Sequence, residues 1–237
     1  MSEWKARRFW TDADLRPADG GFEIMLDSRV LRTPGKHALV LPTEALARAV
    51  ADEWLAQGEV IAPQTMPLTR AVNSAVEQVA PQFDAVAAML ANYGGTDLLS
   101  YRATDPQSLI DLQAREWDPL IDWSARHLDA PLRVTQGVIP IDQDQGALDR
   151  LHARVRAQDQ WGLTALHDLV TIPGSLILGL AVIEGRIDGA EAHRLSRIDE
   201  DFQAERWGAD EEAAEAAEGR RLSILSAERL WSLSRRG

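Results

Sequence analysis

Apolar residues occupy every second position near the start of the chain. Phe22, Ile24 and Leu26 follow this spacing and are separated by Glu23 and Met25. Alternation with a period of two is typical of a β-strand that buries one face. Glycines and prolines divide the surrounding segment into short strands, the later ones at residues 30–33 and 38–41. The pattern predicts a small β-rich head.

The apolar period becomes helical at Thr43. This residue is suited to cap a helix, Leu46, Val50 and Trp54 fall on one face, and Gly58 is suited to end the helix. We interpret Trp54 as a structural residue, because it lies on the apolar stripe that should cover the head.

Two prolines mark the expected domain boundary. Pro63 and Pro67 interrupt regular structure, and the pattern after Pro67 is helical throughout. The sequence therefore predicts an α+β protein of two domains. Residues 1–66 would form the β-rich α+β head, and residues 67–237 would form a larger, all-helical body.

The body contains several amphipathic stretches with helical spacing. A long helix should begin after Asp105-Pro106, and Pro119 should kink it. Its predicted apolar stripe consists of Ile110, Trp117, Ile121 and Leu128. We interpret Trp117 and Pro119 as structural residues. Further helices should begin near Ala147, Leu163 and Ser175.

One more helix is predicted from Asp188, which has Glu191 at the spacing of a capping box. Its structural core face would consist of Leu195, Ile198 and Phe202. At 100° per residue a second stripe flanks that face. The candidate partner-binding residues are those of the second stripe: Ser196, Asp199 or Glu200, Gln203 and Trp207.

This second stripe has two interpretations. A row of carboxylate, amide and indole groups suits a protein contact, in which the aromatic side chain anchors and the charges set orientation. Alternatively, Trp207 packs against the next helix and the acids face water. The sequence leaves both open, and it does not choose between Asp199 and Glu200.

Charge and composition narrow the classes of partner. The formal net charge is -12, which repels phosphate backbones and anionic lipid, so neither nucleic acid nor a membrane is an expected partner. The apolar run at residues 169–183 is shorter than the roughly 20 residues of a bilayer span. Pro173-Gly174-Ser175 interrupts it, which indicates two buried half-helices. The charged N-terminus has no signal peptide pattern, so a cytoplasmic location is expected.

The sequence offers little catalytic chemistry. It has no cysteine, no phosphate-binding loop spacing and five isolated histidines, so we expect no cofactor, no metal and no catalytic residue. The alternative from another class is a hydrolase that uses Asp199 or Glu200 with His193, which lies on the same predicted helix. A third interpretation is a generic helical scaffold that binds proteins.

Several ordered segments resemble the family of F1-ATPase assembly chaperones dedicated to the α subunit, known from mitochondria and related bacteria. The resemblance covers nearly the whole chain. Its weaker motifs are Arg8-Phe9-Trp10, residues 26–36 and Glu53-Trp54-x-x-Gln57. Its more specific motifs are residues 65–69, residues 96–103, Trp117-Asp118-Pro119-Leu120 and residues 196–203 leading to Trp207-Gly208. Family members often have cysteine in place of Ser100, and mitochondrial relatives tend to have glutamate in place of Asp199.

The resemblance implies a chaperone, not an enzyme, that holds unassembled α subunit until the β subunit displaces it. It implies an α+β N-terminal part and a helical C-terminal part. We expect the protein to be monomeric when free. The resemblance also places a functionally important acid at Asp199 or Glu200. A holder of this kind needs no ATP cycle, because the native ring interface can displace it.

Overall fold

The structure is a computed structural model that describes residues 7–208 and 210–235. The chain divides into two compact units. The first comprises the described residues of Met1–Gln82 and Arg229–Gly237, together with Gln160–Ala165. The second comprises Phe83–Asp159 and the described residues of Leu166–Glu228.

The first unit contains an antiparallel three-stranded sheet. Its strands are β1 (Ala13–Ala18), β2 (Gly21–Leu26) and β3 (Arg29–Val30), in the order β1-β2-β3. Ile24 and Leu26 of β2 are buried in the core, as the alternating pattern predicted. Of the two later strands predicted at residues 30–33 and 38–41, only Val30 lies in a strand, β3, while Arg32 with Ala38 and Phe22 with Leu41 form isolated bridges. The chain turns between these positions at Lys36, where φ is 67°.

Helix α1 (Glu44–Leu55) covers this sheet. The hydroxyl of Thr43 accepts from the N–H of Leu46, as expected for the predicted cap. Leu46 and Val50 are fully buried, and Trp54 is partly buried against the same core. The Trp54 ring meets Trp10 edge to face at 5.1 Å between centroids.

The end of α1 is joined to α2 (Pro67–Ser74) by side chains of the resemblance motifs. Glu53 accepts hydrogen bonds from the backbone N–H groups of Leu68 and Thr69, at 2.8 and 2.7 Å, and from the Thr69 hydroxyl at 2.7 Å. Gln57 donates to the Thr65 hydroxyl at 3.1 Å. Since Glu53 satisfies two of the unpaired donors at the start of α2, these motifs stabilise the fold.

Replacing Glu53 with Gln is expected to lower the free energy of unfolding by about 1–3 kcal/mol, because one amide oxygen replaces a carboxylate that serves three donors. Urea denaturation followed by circular dichroism measures this change. Glu59→Gln, at an exposed glutamate of the same unit, is the matched control and should change stability by less than about 0.5 kcal/mol. Equal stability of the two variants would contradict the capping role of Glu53.

A short π-helical turn, Ala75–Val79, continues α2. The remaining helices are α3 (Phe83–Asn92), α4 (Gln107–His127), α5 (Gln145–Arg156), α6 (Gln160–Thr171), α7 (Leu176–Ile183), α8 (Gly189–Ser196), α9 (Ile198–Trp207) and α10 (Glu211–Arg235). Two short parallel strands, β4 (Tyr101–Arg102) and β5 (Thr135–Gln136), pair within the second unit. Single 3₁₀ turns occupy Pro63–Thr65, Ala80–Gln82, Tyr93–Thr96 and Leu98–Ser100. The predicted fold class, a small β-rich N-terminal region followed by a mostly helical region, is confirmed.

Helix α7 is buried along its whole length. It is separated from α6 by a break at Gly174, where φ is 74°, as predicted for two half-helices. Its start is held by Asp97, which is fully buried and accepts from the Ser175 hydroxyl at 2.7 Å and from the N–H of Ile177 at 2.9 Å. Asp97 also accepts from the N–H of Leu99 at 3.0 Å. Burial raises the pKa of Asp97 to about 6.

The buried face of α4 differs from the predicted stripe. Trp117 and Leu128 are buried as expected, but Ile110 and Ile121 are only partly buried. The buried positions of α4 are Leu109, Gln113, Trp117, Leu120 and Ser124. Pro119 lies inside the continuous helix on its exposed side, where a missing N–H and a freed carbonyl meet water. Two polar residues therefore share the core face of α4.

Within residues 7–208 and 210–235, no helix is long and apolar enough to cross a membrane.

Candidate functional site

The segment that carries the candidate residues forms two helices where the sequence predicted one. Asp188 caps α8 as expected, because its carboxylate accepts from the N–H of Glu191 at 2.8 Å. Helix α8 then ends at Ser196, and α9 begins at Ile198. Arg197, with φ of -109° and ψ of 8°, interrupts the helical backbone conformation between them. The prediction of one continuous stripe from Ser196 to Trp207 is therefore wrong.

Apolar contacts fix the inner faces of α8 and α9. Leu195 and Ile198 are buried, and Phe202 is partly buried with the Arg206 guanidinium 4.5 Å from its ring. The indole N–H of Trp117 donates to the carbonyl of Leu195 at 2.9 Å. This bond satisfies one of the last carbonyls of α8 and attaches the helix break to α4.

Two of the candidate residues point into the fold. The Ser196 hydroxyl is partly buried and donates to the carbonyl of His193 at 2.8 Å. Asp199 is partly buried and accepts from the amide of Gln113 at 2.5 Å. Both polar groups are therefore occupied by contacts within the unit.

Gln113 is the residue of this arrangement that sequence reasoning missed. Its side chain is fully buried, and its oxygen accepts from the N–H of Ala103 at 2.8 Å while its nitrogen donates to Asp199. A glutamine on an amphipathic helix is normally assigned to solvent. The available signal was its spacing, four residues after Leu109 and four before Trp117.

The other three candidate residues face solvent. Glu200, Gln203 and Trp207 are exposed, and Trp207 is 77% exposed. Their spacing of three and four residues places them on one face of α9. We call Glu200, Gln203 and Trp207 the outer row. An exposed indole next to a carboxylate and an amide is the composition of a protein contact.

Two arginines hold the carboxylate at the start of the outer row. Glu200 pairs with Arg197 and also with Arg220 of α10, at 3.0 Å to the latter. Arg197 also pairs with Asp201 at 2.7 Å. Exposed pairs of this kind contribute only about 0–1 kcal/mol each to stability. Their main effect is to orient Glu200 and to connect α9 with α10.

The structure does not bring together the groups required by the hydrolase alternative. The His193 ring lies 3.1 Å from the carbonyl of Ala217, and burial together with Arg197 lowers its pKa. Asp199 contacts Gln113, while Glu200 contacts two arginines. An open groove of about 550 Å³ is lined by residues of α4 and by Arg186, without any of these three groups. Within the described part of the chain, no group of three or more possible metal ligands occurs.

Comparison with known proteins identifies close relatives. The family model described as ATP12 chaperone protein matches residues 7–125. A Schizosaccharomyces pombe protein, "Protein atp12, mitochondrial", is 25% identical over 223 residues, which are 88% of this chain and 76% of the relative. The matched family model ends within α4, so it does not cover the outer row.

Solved structures are similar over almost the whole chain. Atp12 from Paracoccus denitrificans is 64% identical, with a TM-score of 0.96 over 98% of this chain and 100% of that chain. A protein from Agrobacterium tumefaciens is 39% identical, with a TM-score of 0.91 over 95% of this chain and 85% of that chain. These matches include the helices α8, α9 and α10.

Proposed function

The chain belongs to the ATP12 chaperone family, which serves ATP synthase assembly, and from this premise we propose that it binds the unassembled α subunit of F1-ATPase. In this proposal it shields the apolar interface of the α subunit and then releases it to the β subunit. A subunit made before its neighbours exposes apolar surface that aggregates. A protein that covers this surface needs no catalytic residue and no cofactor.

The observation that supports this proposal most directly is the outer row. Tryptophan is among the commonest anchors of protein interfaces, and a side chain that is 77% exposed can be buried by a partner. Glu200 and Gln203 on the same face supply charge and hydrogen bonds that fix the orientation of the partner. We propose that the outer row is the client contact.

The two acids receive different roles in this proposal. Glu200 has a side chain 57% exposed and is within reach of a partner. Asp199 is partly buried and bonded to Gln113, so it acts by positioning α9. Ser196 likewise stabilises the end of α8 through the carbonyl of His193. In this proposal Asp199 and Ser196 hold the outer row in position without contacting the client.

Release requires that the chaperone complex be weaker than the native contact between α and β subunits. The exchange then proceeds by mass action, without nucleotide hydrolysis. The arginine contacts favour this, because Arg197 and Arg220 compete with the client for the Glu200 carboxylate. We further propose that the protein is monomeric when free and acts in the bacterial cytoplasm.

Gel filtration of the chain with purified, unassembled α subunit tests this proposal. The expected result is a complex of one chain and one α subunit, and no complex when the β subunit replaces the α subunit. Light scattering detectors give the mass of the complex directly. Separate elution of the chain and the α subunit, or equal binding of α and β, would refute the proposed client.

A further inference from the structure

The loop between β5 and α5 exposes aliphatic side chains to an unusual degree. Val138 is 92% exposed and Ile139 is 75% exposed. Turns normally use Gly, Asn, Asp, Ser or Pro at such positions, because these residues favour the turn conformation. Val138 and Ile139 are not required by the turn, and their exposure suits insertion into a partner.

The base of this loop is fixed by hydrogen bonds. The Gln143 side chain accepts from the N–H of Arg133 at 2.7 Å and donates to its carbonyl at 3.0 Å. The Arg133 guanidinium donates to the carbonyl of Asp142 at 3.1 Å. On the other side, the N–H of Gly137 donates to the carbonyl of Arg102 at 2.8 Å. A tip held on a fixed base loses less conformational entropy when a partner binds.

The loop connects to the start of α9, next to the outer row, through the buried side chain of Gln113. The N–H of Gly137 donates to the carbonyl of Arg102. Ala103, which follows Arg102, donates through its N–H to the side-chain oxygen of Gln113. Gln113 in turn donates to Asp199 at the start of α9. The exposed tip and the proposed client contact therefore belong to one continuous part of the second unit.

Charge defines the kind of surface that would receive the tip. Residues 132–144 contain two acids and one base, and the base, Arg133, is engaged by the backbone. Asp142 and Asp144 are both exposed beside the aliphatic residues. The whole chain has a formal net charge of -12. An apolar tip with acidic surroundings matches an apolar cleft rimmed by Lys and Arg, and it repels anionic lipid and a second copy of this chain.

We propose that Val138 and Ile139 insert into an apolar, basic-rimmed cleft on the same client that contacts the outer row. This inference rests on the proposed function, and it adds a second anchor at a distinct place. The outer row supplies orientation and one indole, while the loop supplies aliphatic contact. The apolar interface of the unassembled subunit is the expected location of the cleft.

The test compares affinity for unassembled α subunit among variants of the full chain. The double variant Val138→Ser/Ile139→Ser should raise Kd by about tenfold or more, because two aliphatic anchors lose their burial. Its thermal unfolding should match the wild type, since both side chains face water. Val138→Ile/Ile139→Val keeps the aliphatic surface and should retain affinity. Leu222→Ser, at a residue of α10 that is 55% exposed, is the matched control and should also retain affinity.

The outcomes separate this inference from the proposed function. If the wild type binds α subunit and the double serine variant binds equally well, the loop contact is refuted while the proposed client stands. An equal loss in Leu222→Ser would also refute it, since any exposed aliphatic residue would then have the same effect. Loop-dependent self-association, or loop-dependent flotation with neutral phosphatidylcholine vesicles, would assign the tip to another occupant and refute it. If the wild type does not bind α subunit, both proposals fail.

Discussion

Replacing Asp97 with Ala is expected to destabilise the protein by about 3 kcal/mol or more at pH 7.5, because buried donors lose their acceptor. The donors are the Ser175 hydroxyl and the N–H groups of Leu99 and Ile177. Water has no access to replace Asp97, which is fully buried. Chemical denaturation followed by tryptophan fluorescence measures the loss.

This loss should depend on pH in a defined direction. Burial raises the pKa of Asp97 from 3.8 to about 6 in the folded chain, so the folded state holds the proton more tightly than the unfolded state. The resulting stabilisation is fully present below pH 3.8 and is lost as the pH rises through 6. The cost of Asp97→Ala should therefore be about 1 kcal/mol larger at pH 5 than at pH 7.5. All other titrating groups are present in both the wild type and the variant, so their contributions to the pH dependence cancel when the two proteins are compared.

Two controls make the Asp97 result interpretable. Ser175→Ala removes one of its partners and the cap of α7, and it should cost only about 1 kcal/mol. Asp142→Asn changes an exposed acid of the same unit and should have little effect on stability. A loss for Asp97→Ala no larger than that for Asp142→Asn would contradict the role of Asp97 as a buried anchor.

The second large effect is expected on client binding. Glu200→Lys should weaken the complex with unassembled α subunit by about 10-fold to 100-fold, because it reverses the charge of the outer row where a partner would meet it. The lysine is also repelled by Arg197 and Arg220, which releases the link between α9 and α10. Surface plasmon resonance with immobilised α subunit measures both the affinity and the dissociation rate.

Glu205→Lys is the matched control, because it makes the same charge change on the same helix. Glu205 is exposed and lies about 140° around α9 from Glu200, away from the outer row. It should retain binding. Asp199→Asn should also have a smaller effect than Glu200→Lys, because the asparagine oxygen still accepts from Gln113. Equal losses in Glu200→Lys and Glu205→Lys would show that net charge, rather than the outer row, controls binding.

The sequence predicted those strands and helix ends that are determined by residues close together along the chain. The alternation around Ile24, the caps at Thr43 and Asp188 and the start of a helix near Ser175 required only nearby positions, and the structure has them as expected. Nothing local predicted the break at Arg197, because arginine is a good helix former. Tertiary contacts stabilise that break, among them the bond from Trp117 to the carbonyl of Leu195.

The buried polar contacts were harder to predict than the apolar core. Gln113 lies on the core face of α4 because it bonds to two groups that are distant in sequence, Ala103 and Asp199. Its spacing from Leu109 and Trp117 fits that face, but a glutamine is normally assigned to solvent, so the pattern assigned the core face to Ile110 and Ile121. The role of Arg220 was missed for the same reason, since it follows Glu200 by twenty residues.

Several motifs that carry the family resemblance have structural roles. Glu53 caps α2, and Asp97 anchors α7. Arg102 is buried beside Trp117 and pairs with Asp118 at 2.9 Å. In this chain these residues of the resemblance motifs stabilise the fold. The outer row, which is proposed to meet the client, also lies within those motifs, whereas the exposed loop tip at Val138 and Ile139 lies outside them.

The most direct test of the central claim is light scattering of unassembled α subunit at a temperature where it aggregates. With one equivalent of this chain and no ATP, scattering should stay near its starting value, and adding β subunit should transfer α from the chaperone complex into a complex of α and β. Unchanged aggregation in the presence of the folded chain would contradict the claim that this protein holds the α subunit for assembly.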